Sequence, residues 1–180
     1  MNMLFNPLRR YVLGLALLAA SVQAVPQQAT PRYTVEIVVF SANATSGEDG
    51  TAATPLRSTA GDIMPTIVTS RKLASAAAKL RSAGYRILAH TAWSQAPATW
   101  NSRRGISVDQ LGIDTPGLTG NVVLERGQYL HLGLDLKVEE GGRGLVLADL
   151  QQVKKLGDAL YFDHPQLGAI ALVTAGGATP

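Results

Sequence analysis

Leucine recurs at positions 130, 132, 134 and 136 in the run YLHLGLDLKV, with His131, Gly133 and Asp135 between them. Alternation of this length fits a half-buried β-strand, because successive side chains of an extended chain leave on opposite faces. The four leucines must line a core. Tyr129, His131, Gly133 and Asp135 then share the other, more polar face. Val122 to Arg126 reads as a preceding apolar strand, and Gly127 with Gln128 supplies the hairpin turn.

Other segments repeat the strand signal. Tyr33 to Phe40 (YTVEIVVF) sets Tyr33, Val35, Ile37 and Val39 on one face and Glu36, Val38 and Phe40 on the other. Tyr85 to Trp93 places Tyr85, Ile87, Ala89, Thr91 and Trp93 together, with Arg86, Leu88 and His90 opposite, so Trp93 and His90 should face away from each other. Leu145 to Val153 follows a turn at Gly141, Gly142 and Gly144; Ala159 to Asp163 and Leu167 to Thr174 form a last pair joined through His164, Pro165 and Gln166. Ser70 to Ala83 alone has helical spacing. Leu73, Ala76, Ala77 and Leu80 form its stripe, Thr69 or Ser70 serves as N-cap, and Gly84 stops it. The expected fold is α+β: an antiparallel or mixed sheet of about six strands with one main helix against it.

Met1 to Ala24 carries the parts of a secretory signal: Arg9 and Arg10, the apolar run from Tyr11 to Ala20, and a small-residue cleavage pattern at Val22, Gln23 and Ala24. The apolar run is about half of the roughly 20 residues a spanning helix needs, so a cleaved leader is expected and no stable membrane anchor after it. The chain has no cysteine, hence no lipid-modified thiol and no disulfide, and a soluble periplasmic protein is the expectation. Of 16 basic residues, two leave with the leader; 14 against 13 acidic residues give a mature charge of +1. With no basic block interleaved with aromatics, nucleic acid is not an expected partner. The remaining 25–180 suits one domain, with a polar, weakly periodic stretch at 41–65 that reads as a long mobile loop.

Four motifs carry a resemblance. YTVEIVVF, the Tyr-x-x-Leu-x-His-x-x-Trp-x-Gln run from Tyr85 to Gln95, Tyr129-Leu130-His131-Leu132 followed by Asp135-Leu136, and Tyr161-Phe162-Asp163-His164-Pro165 with Gly168 together resemble the CsiV family of periplasmic proteins. The resemblance implies a Gram-negative cell-envelope protein that binds peptidoglycan and helps regulate cell-wall synthesis, with a lipoprotein activator of a penicillin-binding protein as the implied protein partner.

A surface for peptidoglycan wants aromatic faces for sugar rings, amides or acids for hydroxyls, and a few cations. Trp93, Gln95, Trp100, Tyr129, His131 and Asp135 are the binding candidates, with Arg103 and Arg104 of suitable charge. Trp93 equally suits a core position under the helix, since tryptophan is highly buried on average; Trp100, between Thr99 and Asn101, suits a surface loop. Asp163, His164 and Pro165 fit a structural turn in which Asp163 accepts backbone N–H groups, and His131 with Asp135 fits a hydrogen-bonded pair.

Two other classes of function stay open. One is an envelope docking module that ignores glycans. The other is a metal-dependent wall hydrolase using His90, His131 and His164 with Asp163 or Asp135. The chain contains no His-Glu-x-x-His pair and no Gly-x-Ser-x-Gly elbow, so no catalytic residue, metal or cofactor is expected.

Overall fold

The computed structural model describes residues 30–42, 56–140 and 143–176. The leader at 1–24 lies outside them, as does 43–55 of the expected loop. Among the described residues no helix is long and apolar enough to cross a membrane.

The elements are β1 (Tyr33–Ser41), β2 (Thr59–Ala60), β3 (Thr66–Ile67), α1 (Ala74–Ser82), β4 (Arg86–Gln95), β5 (Ala98–Thr99), β6 (Arg104–Ser107), a 3-10 turn (Asp109–Leu111), β7 (Leu118–Arg126), β8 (Leu130–Glu140), β9 (Arg143–Gln152), β10 (Ala159–Phe162) and β11 (Leu167–Ala175). The fold is α+β. Its strands divide between two sheets where the sequence suggested one: β10-β11-β1-β4-β3, and β2-β6-β7-β8-β9 with β5 paired beside β7. Ladders are antiparallel except for β2 with β6 and β5 with β7.

Alternation decides how the layers stack. Val35, Ile37, Val39 and Trp93 from the first sheet meet Val122, Leu124, Leu132, Leu134 and Leu136 from the second in one buried core. Val38, Ile170 and Leu172 leave the first sheet on its other face and meet Leu73 and Ala77 of the helix. The order is therefore helix, sheet, sheet. Trp93 lies between the sheets instead of under the helix.

β4 departs from simple alternation. Val39 pairs with Ala89 but Phe40 pairs with Ile87, so Leu88 is an extra residue at a bulge. It turns Leu88 into the inter-sheet core and Ile87 toward the helix side, the reverse of the expected parity before the bulge. Beyond it, Trp93 and His90 do face opposite ways.

The helix begins later than expected and has no side-chain cap of its own. Its stop is the expected one: Gly84 has φ +89°, its N–H donates to the Arg81 carbonyl (3.0 Å), and Tyr85 N–H donates to that of Leu80 (3.0 Å). This pairing of bonds closes a helix around a left-handed glycine.

The described part of the expected mobile loop is pinned. Thr59 and Ala60 pair with Arg104 and Gly105, and Ser58 donates from both its N–H (3.0 Å) and its hydroxyl (2.6 Å) to Asp135 Oδ2. Leu56 lies over Gly133, where an added Cβ would come within 2.9 Å of its Cδ2.

Candidate functional site

The outer face of the second sheet is the polar face that the Leu130-to-Leu136 alternation implies. β7 contributes Asn121 and Glu125, opposite Asp135 and His131 of β8. Trp100 comes to this face because β5 runs beside the end of β7 and Trp100 N–H donates to the Arg126 carbonyl (3.2 Å). Gly127 makes room: a Cβ there would meet Trp100 Cβ at 2.9 Å. The indole stacks on His131, with ring centroids 4.2 Å apart and planes tilted by 39°, and the Arg103 guanidinium lies 5.6 Å from the indole centroid, a cation–π contact. Trp100 stays 43% exposed and Tyr129, in the adjoining turn, 52%.

Glu125 holds this group in place. The residue is fully buried, and its carboxylate accepts from Asn101 N–H (3.1 Å), Arg103 N–H, the Ser102 hydroxyl (3.3 Å) and Arg103 Nη1 (3.1 Å). Asn101 and Arg103 both have left-handed backbones, φ +63° and +54°, a conformation costing roughly 1–2 kcal/mol in a residue with a side chain. A buried carboxylate taking four donors from one tight loop offsets that strain. Left-handed non-glycine residues concentrate at functional sites.

The sequence candidates separate cleanly. Trp100 and His131 come together with Arg103, and Tyr129 is exposed in the adjoining turn. Trp93 and Gln95 are corrected: both are fully buried, and Trp93 Nε1 donates to Gln95 Oε1 (2.6 Å), a self-contained core pair that presents nothing to a ligand. Asp135 shares the outer face but is occupied by Ser58, while Asn121 Nδ2 donates to the Ser58 hydroxyl (3.0 Å). The expected His131–Asp135 bond is absent; His131 Nδ1 is enclosed and meets no hydrogen-bond partner among the described residues. Gln95→Ala should strip the buried indole N–H of its acceptor, costing about 1–3 kcal/mol, as urea denaturation would register.

Comparisons with protein-family models, curated proteins and solved structures find no match.

The other polar centre lies between the first sheet and the helix. Glu36, buried on β1, accepts from the Ser70 hydroxyl, Lys72 N–H (3.0 Å) and Leu73 N–H (2.9 Å), and lies 2.8 Å from His90 Nε2. It caps the entry to the helix in place of Thr69 or Ser70, satisfying backbone donors that a helix start leaves free. Burial pushes the Glu36 carboxyl up, but hydrogen bonds from Ser70, His90, Leu73 and Lys72 together outweigh it and hold the group below the usual carboxylate range.

His90, His131 and His164 do not converge. His90 is on the helix side of the first sheet, His131 on the outer face of the second, and His164 in the β10–β11 turn. No three His, Asp or Glu side chains among the described residues are grouped to hold a metal ion. In that turn Asp163 is exposed and accepts no hydrogen bond from the described residues, contrary to expectation; His164 Nδ1 instead accepts weakly from Gln166 N–H (3.5 Å). Pro165 is exposed at the bend.

Glu125 and Glu36 are not among the site residues expected from sequence. The available signal was a carboxylate inside an apolar strand, in VVLER and TVEIVV, since buried charges demand partners.

Proposed function

We propose that the chain is an exported, non-catalytic envelope protein that binds peptidoglycan through the Trp100, Tyr129, His131 and Arg103 cluster and thereby takes part in regulating wall synthesis in the periplasm. One observation carries the reading: an exposed indole stacked on His131 and carried by a loop that Glu125 makes rigid, with the exposed Tyr129 phenol in the β7–β8 turn. A sugar ring gains from a preorganised aromatic face, because little freedom is lost on binding, and Arg103 adds a cation suited to a stem-peptide carboxylate. The CsiV resemblance supports the same ligand and implies a lipoprotein activator of a penicillin-binding protein as the protein partner.

Trp100 is half-exposed whereas Trp93 is sealed, which gives a direct optical test. Titration with soluble muropeptides should shift the tryptophan emission, and Trp100→Phe should remove the shift. Trp100→Ala and Tyr129→Ala should each weaken binding by about 1 kcal/mol, roughly five-fold in Kd. An emission response that persists in Trp100→Phe would put the ligand elsewhere.

A further inference from the structure

The cations of the chain are unevenly placed. Ser70 to Gly84 holds Arg71, Lys72, Lys79 and Arg81 and no acid. Since 25–180 carries +1, everything in it outside this segment sums to −3. All four side chains are exposed. Among the described residues none of them reaches a carboxylate, whereas Arg103, Arg104, Lys137 and Lys155 each do. Unpaired positive charge therefore collects on the helix layer, at the opposite end of the helix, sheet, sheet stack from Trp100.

The helix presents this charge in a set way. At 3.6 residues per turn, packing Leu73, Ala77 and Leu80 against the first sheet turns Ser75, Ala78 and Ser82 to solvent. Lys79 and Arg81 flank that ridge of small residues on its two sides, and Arg71 with Lys72 stands at its entry. Beside Lys79 the sheet extends past the helix. Tyr161 of β10 pairs with Ile170, which faces the helix, yet Tyr161 is 65% exposed. Ser75, Lys79, Leu80, Tyr161 and Ile170 line an open cleft of about 360 Å³ there, at the small end of sites that hold ligands.

We propose that this helix face docks reversibly on a membrane surface bearing anionic phospholipid, with the cleft taking one headgroup, its phosphate on Lys79 and its glycerol against Tyr161 and Leu80. Two features select lipid over an acidic protein. A protein interface centres on large anchoring side chains, but the ridge between the cations is serine and alanine; a fluid anionic surface needs no anchor there and attracts each cation by itself. Tyrosine beside lysine is also the pairing that membrane interfaces favour, with the ring among the headgroups and its hydroxyl in water. If the peptidoglycan reading holds, the two ends of the stack face membrane and wall; the lipid surface itself does not rest on that reading.

Co-flotation with vesicles of phosphatidylcholine mixed with phosphatidylglycerol, and of phosphatidylcholine alone, tests the proposal. The wild-type protein should float with the mixed vesicles at low salt, leave them at high salt as screening grows, and ignore the neutral ones. Each cation at such a surface is worth roughly five-fold in affinity and a reversal counts about twice, so Lys79→Glu should weaken binding by more than about ten-fold. Tyr161→Ala should weaken it several-fold. Lys137→Glu makes the same charge change on the outer face of the second sheet and should bind nearly as wild type, as should Trp100→Ala, which keeps this result separate from that of the wall. Unchanged circular dichroism in every variant separates lost docking from lost folding. A wild-type protein that ignores anionic vesicles or binds neutral ones as well, equal losses in Lys79→Glu and Lys137→Glu, or full binding by Tyr161→Ala overturns the proposal. Salt-sensitive capture of polyglutamate by a protein that leaves the vesicles alone would do so equally and assign the face to an acidic polypeptide.

Discussion

Glu125→Ala should lower stability by about 3 kcal/mol and abolish the proposed wall binding together. The substitution leaves two backbone N–H groups, the Ser102 hydroxyl and the Arg103 guanidinium without their common acceptor. Breaking a buried ion pair from one side costs about 3–5 kcal/mol. Arg103 is 27% exposed on its side chain, so water takes over part of its solvation and the lower end applies. For a chain of this size that is a drop of roughly 6–12 °C in Tm. The binding loss follows from geometry, since the loop that presses Trp100 onto His131 no longer has a reason to hold left-handed residues at 101 and 103. Glu125→Gln keeps the shape but turns one acceptor into a donor, and should fall between wild type and alanine in both calorimetry and pull-down.

Glu36→Gln should cost about 2 kcal/mol at neutral pH, because the new amide NH2 faces donors it cannot pair with. The effect should depend on acidity in a set direction. The folded-state pKa of Glu36 lies below its unfolded value, so its contribution is complete above the ordinary carboxylate range and is lost as pH falls through the depressed folded value. The gap between wild type and Glu36→Gln in chemical denaturation should therefore be widest near pH 7 and shrink progressively as pH falls below the ordinary carboxylate range. A gap that stays constant would mean that the carboxylate charge is not what holds the helix entry.

The sequence was most legible where one face of a strand had to be buried. YTVEIVVF and LHLGLDL announce their faces by composition, and the structure keeps them. The Leu73, Ala77 and Leu80 stripe and the Gly84 stop were readable for the same reason, as local matters of period and backbone freedom. Illegible features came from partners distant in the chain. Leu88 enters the core through a bulge set by register against β1, and nothing in RILAH marks it. Two-residue strands such as β2, β3 and β5 have no period to detect and exist because a neighbouring strand offers backbone groups. Polar neighbours already mark Trp100 as a loop residue, but that Trp93 is sealed between two sheets, where the sequence suggested a place under the helix, depends on strands distant in the chain. Glu36 draws donors from 34 to 54 residues away, so the helix cap could not be read from Thr69 or Ser70.

Co-sedimentation of the purified protein with protein-free sacculi, at low and high salt and with and without a chelator, tests the central claim most directly. The account predicts retention that survives salt and chelation, falls several-fold in Trp100→Ala and is unchanged in Gln95→Ala. A folded wild-type protein that stays in the supernatant, or a Trp100→Ala variant retained as well as wild type, would contradict it.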